Sequence, residues 1–143
     1  MGRNLGGVVL AAAALAGCQQ AQLGVDGAWV RLPAVPGRPG AAYFTVHGGA
    51  DATSLLAVSS PAAIRTELHE MKNVGGMMNM SPLKDVAIPA GQAVAFQPGG
   101  KHVMLFDIAP SVRAGTTIPL RLAFANGKTI EVAATVKAAG EAE

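Results

Sequence analysis

Residues 117–136 read TIPLRLAFANGKTIEVAATV. Two strand-like runs, Thr117–Phe124 and Thr129–Val136, flank the dipeptide Asn126-Gly127. Both turn residues tolerate the left-handed backbone of a tight reversal, so this stretch predicts a β-hairpin. The same grammar extends upstream. Short apolar or β-branched runs recur at Ala28–Leu32, Ala41–His47, Ser54–Val58, Ile64–Met71, Met77–Met80, Ala93–Gln97 and His102–Ile108. Between them lie Pro33, Pro36 and Pro39, then Gly48-Gly49, Ser59-Ser60-Pro61 and Gly75-Gly76. These are loop and turn signals. Ala87–Gly91 contains Pro89 and reads as a further loop. No segment beyond the N-terminal region sustains an amphipathic helix. Seven to nine short strands at roughly ten-residue spacing predict an all-β fold, a Greek-key β-sandwich or barrel.

The first residues read as an address. Arg3 precedes an uncharged apolar run, Leu5–Leu15, which is short for a membrane span and suits the core of a signal peptide. It ends in Leu15-Ala16-Gly17-Cys18, which resembles the bacterial lipobox. In lipoproteins of that kind the cysteine thiol is lipidated and becomes the mature N-terminus. The expected organisation is a lipoprotein signal peptide over 1–17, a lipid-anchored tether over 18–26, a domain over 27–137 and a flexible tail over 138–143. That places the protein at the periplasmic side of a bacterial envelope, held to the membrane through its lipid. By resemblance to Gram-negative lipoproteins, Gln19 after the cysteine favours the outer membrane.

Composition narrows the function. The formal net charge of the 143 residues is +2, and no Lys or Arg run forms a patch. Aromatic residues make up 4% and are not interleaved with basic ones, which argues against nucleic-acid binding. Cys18 is the one cysteine, so neither an internal disulfide nor a thiolate metal cluster is available. Of six methionines, all but the initiator fall between Met71 and Met104.

Two His-x-Met pairs stand out in that region: His69-Glu70-Met71 and His102-Val103-Met104. On a strand, residues i and i+2 share a face, so each pair aims an imidazole nitrogen and a thioether sulfur the same way. That donor mixture suits Cu(I) and does not suit Mg, Ca or Mn, which take oxygen ligands. Zinc accepts the histidines but gains little from methionine. With five methionines and three histidines placed at random, two such pairs arise in roughly half a percent of chains. Any one methionine is more simply a core filler. Met77 best fits that role, because its parity opposes Met78 and Met80. His47 ends a run with no soft partner nearby and reads as structural or solvated.

The larger pattern resembles the PCuAC family of periplasmic copper chaperones. That family carries His, ten residues, Met, twenty-one residues, His, one residue, Met. His69, Met80, His102 and Met104 match all four positions. Surrounding segments are also similar, among them Glu67-Leu68-His69-Glu70-Met71, Met80-Ser81-Pro82 and Pro98-Gly99-Gly100-Lys101-His102. The similarity runs from about Gly27 to Val136. It implies a cupredoxin-like β-sandwich, with His69, Met80, His102 and Met104 as Cu(I) ligands and Met71 as an accessory candidate. It also implies copper delivery toward cytochrome c oxidase subunits, directly or with Sco-like thioredoxin-fold proteins. Some members bind further copper through a His- and Met-rich tail, but residues 137–143 contain neither residue type. Met77 and Met78, in the expected turn, have no assigned role in this pattern and are candidates for alternative ligands during transfer.

Three other readings compete. A blue-copper electron carrier needs a cysteine thiolate ligand, which the mature domain lacks. An enzyme needs a nucleophile triad, a paired carboxylate site or a phosphate loop, and none has supporting context; Gly99-Gly100-Lys101 is only a fragment of the last. A metal-free structural or interaction lipoprotein with a β-sandwich fold remains the alternative.

Overall fold

The computed structural model describes Gly2 and residues 20–141. The predicted signal peptide and Cys18 lie outside the described residues. Ten strands form: β1 (Gly24–Arg31), β2 (Gly40–His47), β3 (Thr53–Ser59), β4 (Ala63–Val74), β5 (Met77–Pro82), β6 (Val86–Ile88), β7 (Ala93–Phe96), β8 (Lys101–Ile108), β9 (Thr117–Phe124) and β10 (Thr129–Lys137). The hydrogen-bonded order is β5-β4-β8-β2-β1-β10-β9-β3-β6, with β7 also paired to β2. All pairs are antiparallel except β1 with β10. The path coils back on itself: the Thr66 hydroxyl of β4 donates to the Val58 carbonyl of β3. The all-β expectation holds.

Local sequence accounts for the elements. The 117–136 hairpin forms, with Ala123 opposite Thr129. Its turn is a three-residue loop. Gly127 N–H donates to Phe124 O, and Phe124 N–H to Lys128 O. Gly127 takes the left-handed position at φ 84°. Along β9 the alternation is regular: Ile118, Leu120, Leu122 and Phe124 are buried, while Thr117 and Arg121 are exposed. These side chains join Val30, Phe44, Leu55, Ile88, Phe96, Val103, Leu105 and Val136 in one core.

One loop expectation is corrected. Residues 86–88 form β6, pairing with Thr53–Leu55. Val86 and Ile88 are buried and Ala87 is exposed, so even three residues bury two apolar side chains. Pro89, which cannot donate to a ladder, ends the strand.

The core positions the outer face. On β8, Val103 and Leu105 are fully buried, which turns His102, Met104 and Phe106 to the opposite side of the sheet. Leu105→Ala therefore removes a buried anchor beneath that face. We expect a loss of about 2–5 kcal/mol in unfolding free energy, measured by chemical denaturation. The same truncation at exposed Ile64 should change stability by less than about 0.5 kcal/mol.

Candidate metal centre

The two histidines meet because β4 and β8 pair in antiparallel register. His69 lies directly opposite His102, Glu67 opposite Met104 and Leu68 opposite Val103. Residues directly opposite share a face. Leu68 and Val103 face the core, so the rows on either side of them face outward together. The two imidazole rings stack with centroids 5.9 Å apart and planes 29° from parallel. Met71 extends the row on β4, and Met80 on β5 lies directly opposite it.

The turn before β8 locks this arrangement. Gly100 N–H donates to Gln97 O, with Pro98 and Gly99 between them and Gly99 at φ 83°. This is the pattern of a type II turn. It presents the Gly100 carbonyl to two groups: the Met71 N–H at 3.0 Å and Nδ1 of His102 at 3.1 Å. One carbonyl thus ties β4 to the turn and orients the ring on β8. His102 donates from Nδ1, which leaves its Nε2 lone pair available.

His69 is held the other way round. Its Nε2 lies 2.8 Å from a carboxylate oxygen of Glu67, and its Nδ1 is buried with no hydrogen-bond partner. The neutral tautomer with its proton on Nε2 satisfies Glu67 and leaves Nδ1 as a bare lone pair. A buried polar atom without a partner normally costs stability, so an unsatisfied lone pair here has the chemistry of a waiting metal ligand. Both rings resist protonation. Burial lowers the pKa of His69 below the ordinary histidine value. For His102 burial is again the main cause, partly offset by the Gly100 carbonyl and reinforced by His69 and the cation Arg31.

His102, Met104, Met71 and Met80 line a common cleft of about 480 Å³, walled on its other side by Arg31, Tyr43 and residues 139–140. His69 is not in the wall of this cleft; its side chain is 13% exposed and reaches the others through its stack on His102. Arg31 donates to the Tyr43 hydroxyl at 2.7 Å, and Tyr43 packs on Trp29 with ring centroids 4.5 Å apart. Among the described residues no three His, Cys, Asp or Glu side chains gather as a site. A metal held here needs the thioethers.

The methionines differ in setting. Met104 is half-buried on β8, whereas Met80 is 49% exposed on β5. Met77, expected to fill the core, is instead 70% exposed. The β4–β5 hairpin continues past the last β4–β8 pair, Glu70 with Lys101, so no core lies beneath its tip. His47 is a surface group, 3.0 Å from Asp26. Sequence reasoning missed Glu67, although its i−2 spacing from His69 on a strand was a usable signal. It also missed Arg31 and Tyr43, which reach the cleft from β1 and β2 and carry no local signal.

Residues 23–136 match the family model described as "Putative lipoprotein LpqE-like". "Putative lipoprotein Lxx21020" of Leifsonia xyli subsp. xyli is 33% identical over 114 residues, covering 79% of this chain and 68% of that protein. The chain belongs to the LpqE-like family. Among solved structures, the solution structure of CuI-DR1885 from Deinococcus radiodurans superposes with a TM-score of 0.66 at 32% identity, over 91% of this chain and 88% of that one. The copper-bound PCuAC domain from PmoF2 superposes with a TM-score of 0.66 at 21% identity, over 84% of this chain and 98% of that domain. The fold is the cupredoxin-like one of those domains.

The turn is open to a direct test. Gly99→Ala forces a β-carbon into a left-handed conformation, which should lower stability by about 1 to 2 kcal/mol. The histidine ring signals in the NMR spectrum should shift for His102 and stay put for His47, which is remote from the turn.

Proposed function

We propose that this LpqE-like protein is a carrier of Cu(I), not a catalyst, with His69, Met80, His102 and Met104 as ligands and Met71 as an accessory. One observation carries the reading: two imidazoles with available lone pairs stack on a sheet face that also bears thioethers. The similarity to proteins solved in copper-bound form supports it.

Every proposed donor is neutral, so binding needs no thiol to ionise and the loaded site keeps the single charge of the ion. Thioether sulfur and imidazole nitrogen match a soft monovalent ion. Arg31 lies close enough to His102 to disfavour imidazolium. By the same sign it disfavours a divalent ion over a monovalent one. The Glu67 carboxylate fixes the orientation of the His69 ring. Flexible, uncharged thioethers release their ion readily to a stronger ligand, and an acceptor with cysteine thiolates is one. Cytochrome c oxidase subunits and Sco-like proteins are the acceptors proposed here. Lipidation of Cys18 would hold the carrier at the periplasmic face of a membrane, the outer one if the envelope is Gram-negative. β1 takes in residues 24–26 of the proposed tether and ends at Arg31 in the cleft wall, at most about 23 Å from Gly24 at ~3.3 Å per residue. That separation keeps the cleft clear of the anchored end.

Cu(I) X-ray absorption tests the ligand set. Wild type should bind one ion through both nitrogen and sulfur. Met80→Ala and Met104→Ala should each lose sulfur scattering, and His69→Ala and His102→Ala should each lose nitrogen. Glu67→Ala should weaken binding by about 10- to 100-fold without altering the donor atoms. A wild-type protein that takes up no stoichiometric Cu(I) would return the chain to the metal-free structural reading.

The pH dependence follows from the lowered histidine pKa values. Cu(I) requires neutral imidazole, and burial holds the pKa of both rings below the ordinary histidine value, so protons compete at lower pH than they would at an ordinary histidine. Affinity should therefore fall on acidification, at a lower pH than a site built from ordinary histidines would show. Competition against a Cu(I) chelator from about pH 8 to pH 5 would measure this.

A further inference from the structure

Met78 takes no part in the site above, yet the hairpin register brings it into line with it. Met80 lies opposite Met71, and Met78 opposite Asn73. Alternation along β4 puts Met71 and Asn73 on the face that carries His69. Met71, Met78 and Met80 therefore share that face, while Met77 lies opposite Val74 on the other. Met71 and Met80 reach the cleft, and Met78 stands one strand pair further toward the hairpin tip. Directly opposite β-carbons lie about 5 Å apart, and the next position on the same strand face about 7 Å away. Methionine has three rotatable side-chain bonds, enough to bring three such sulfurs onto one ion.

Packing does not explain Met78. It is 51% exposed, and all six residues of β5 are exposed. β5 reads MMNMSP and carries no carboxylate, histidine or cysteine, so its soft metal donors are thioethers. Three neutral thioethers suit a soft monovalent ion and offer little to a hard divalent one.

We propose that Met71, Met78 and Met80 form an outer, all-thioether capture site for a soft monovalent cation, Cu(I) or Ag(I), from which the ion moves inward to the imidazoles. The inward destination rests on the function proposed above; the outer site does not. In the transfer the metal–sulfur bond to Met78 breaks as a metal–nitrogen bond to His102 forms. Met80 stays bound throughout. The ion remains monovalent and no proton moves.

Two measurements on the full chain test this. In the first, Cu(I) uptake from a weak chelator is followed by stopped flow. Met78→Leu conserves volume at an exposed position and should slow uptake several-fold while leaving the final affinity within about twofold. Met77→Leu, on the opposite face, should change neither. In the second, the His69→Ala/His102→Ala variant is loaded with Ag(I) or Cu(I). One ion should still bind, with an all-sulfur shell by X-ray absorption, and adding Met78→Leu should abolish it. The proposal is overturned if Met78→Leu leaves the uptake rate unchanged, or if the histidine-less variant binds no ion while circular dichroism shows it folded. A wild-type protein with an all-sulfur shell and no nitrogen would instead overturn the carrier site while leaving the outer site standing.

Discussion

The antiparallel register between β4 and β8 is the constraint on which the rest depends. It sets Leu68 opposite Val103 in the core and, one residue along, His69 opposite His102 on the outer face. A slip of one residue would send the histidines inward and the aliphatic side chains outward. The hydrophobic effect therefore holds the geometry of the candidate metal centre at a distance. Fully buried Val103 and Leu105 fix which way β8 faces, and the outer row follows. The pair is reinforced where β4 runs past the end of β8, by Lys101 on Glu70 and by Met71 N–H on the Gly100 carbonyl.

Electrostatics then shape what the face binds. Glu67 is already engaged by Arg65 and His69, and Glu70 by two lysines. Arg31 donates to the Tyr43 hydroxyl, and its charge is felt at His102. The result is a cleft of neutral donors with a cation at its wall. Such a site has little attraction for calcium, magnesium or a proton and none of the desolvation problem that a buried carboxylate pair would bring.

Rigidity is unevenly distributed. His102 and Met104 stand on a strand backed by the full core, whereas Met80 is carried on a hairpin with solvent on both sides. Few buried contacts allow such an element to open at little free-energy cost. A firm imidazole pair beside a loosely held thioether suits the proposed carrier, which must keep its cargo and also release it.

The sequence alone determined the strand pattern, because alternation and Gly/Pro punctuation are local properties of a half-buried pleated chain. Asn126-Gly127 announced its hairpin, and the pairing of each histidine with a methionine two residues on was already a shared face. The spacing from His69 to Met104 also carried the family resemblance. The sequence could not reveal that β6 is a strand, since its reason is burial against β3. Nor could it show that Met77 lies in solvent, since parity tells two faces apart but not whether a core lies beneath either. Only the tertiary structure decided which donors meet. The stacking of His69 on His102, the lone pair left bare on His69 and the arrival of Arg31 from β1 all follow from strand pairing across long stretches of chain. Pairing of that kind is a property of the folded sheet, because its partners have no proximity until the core has formed.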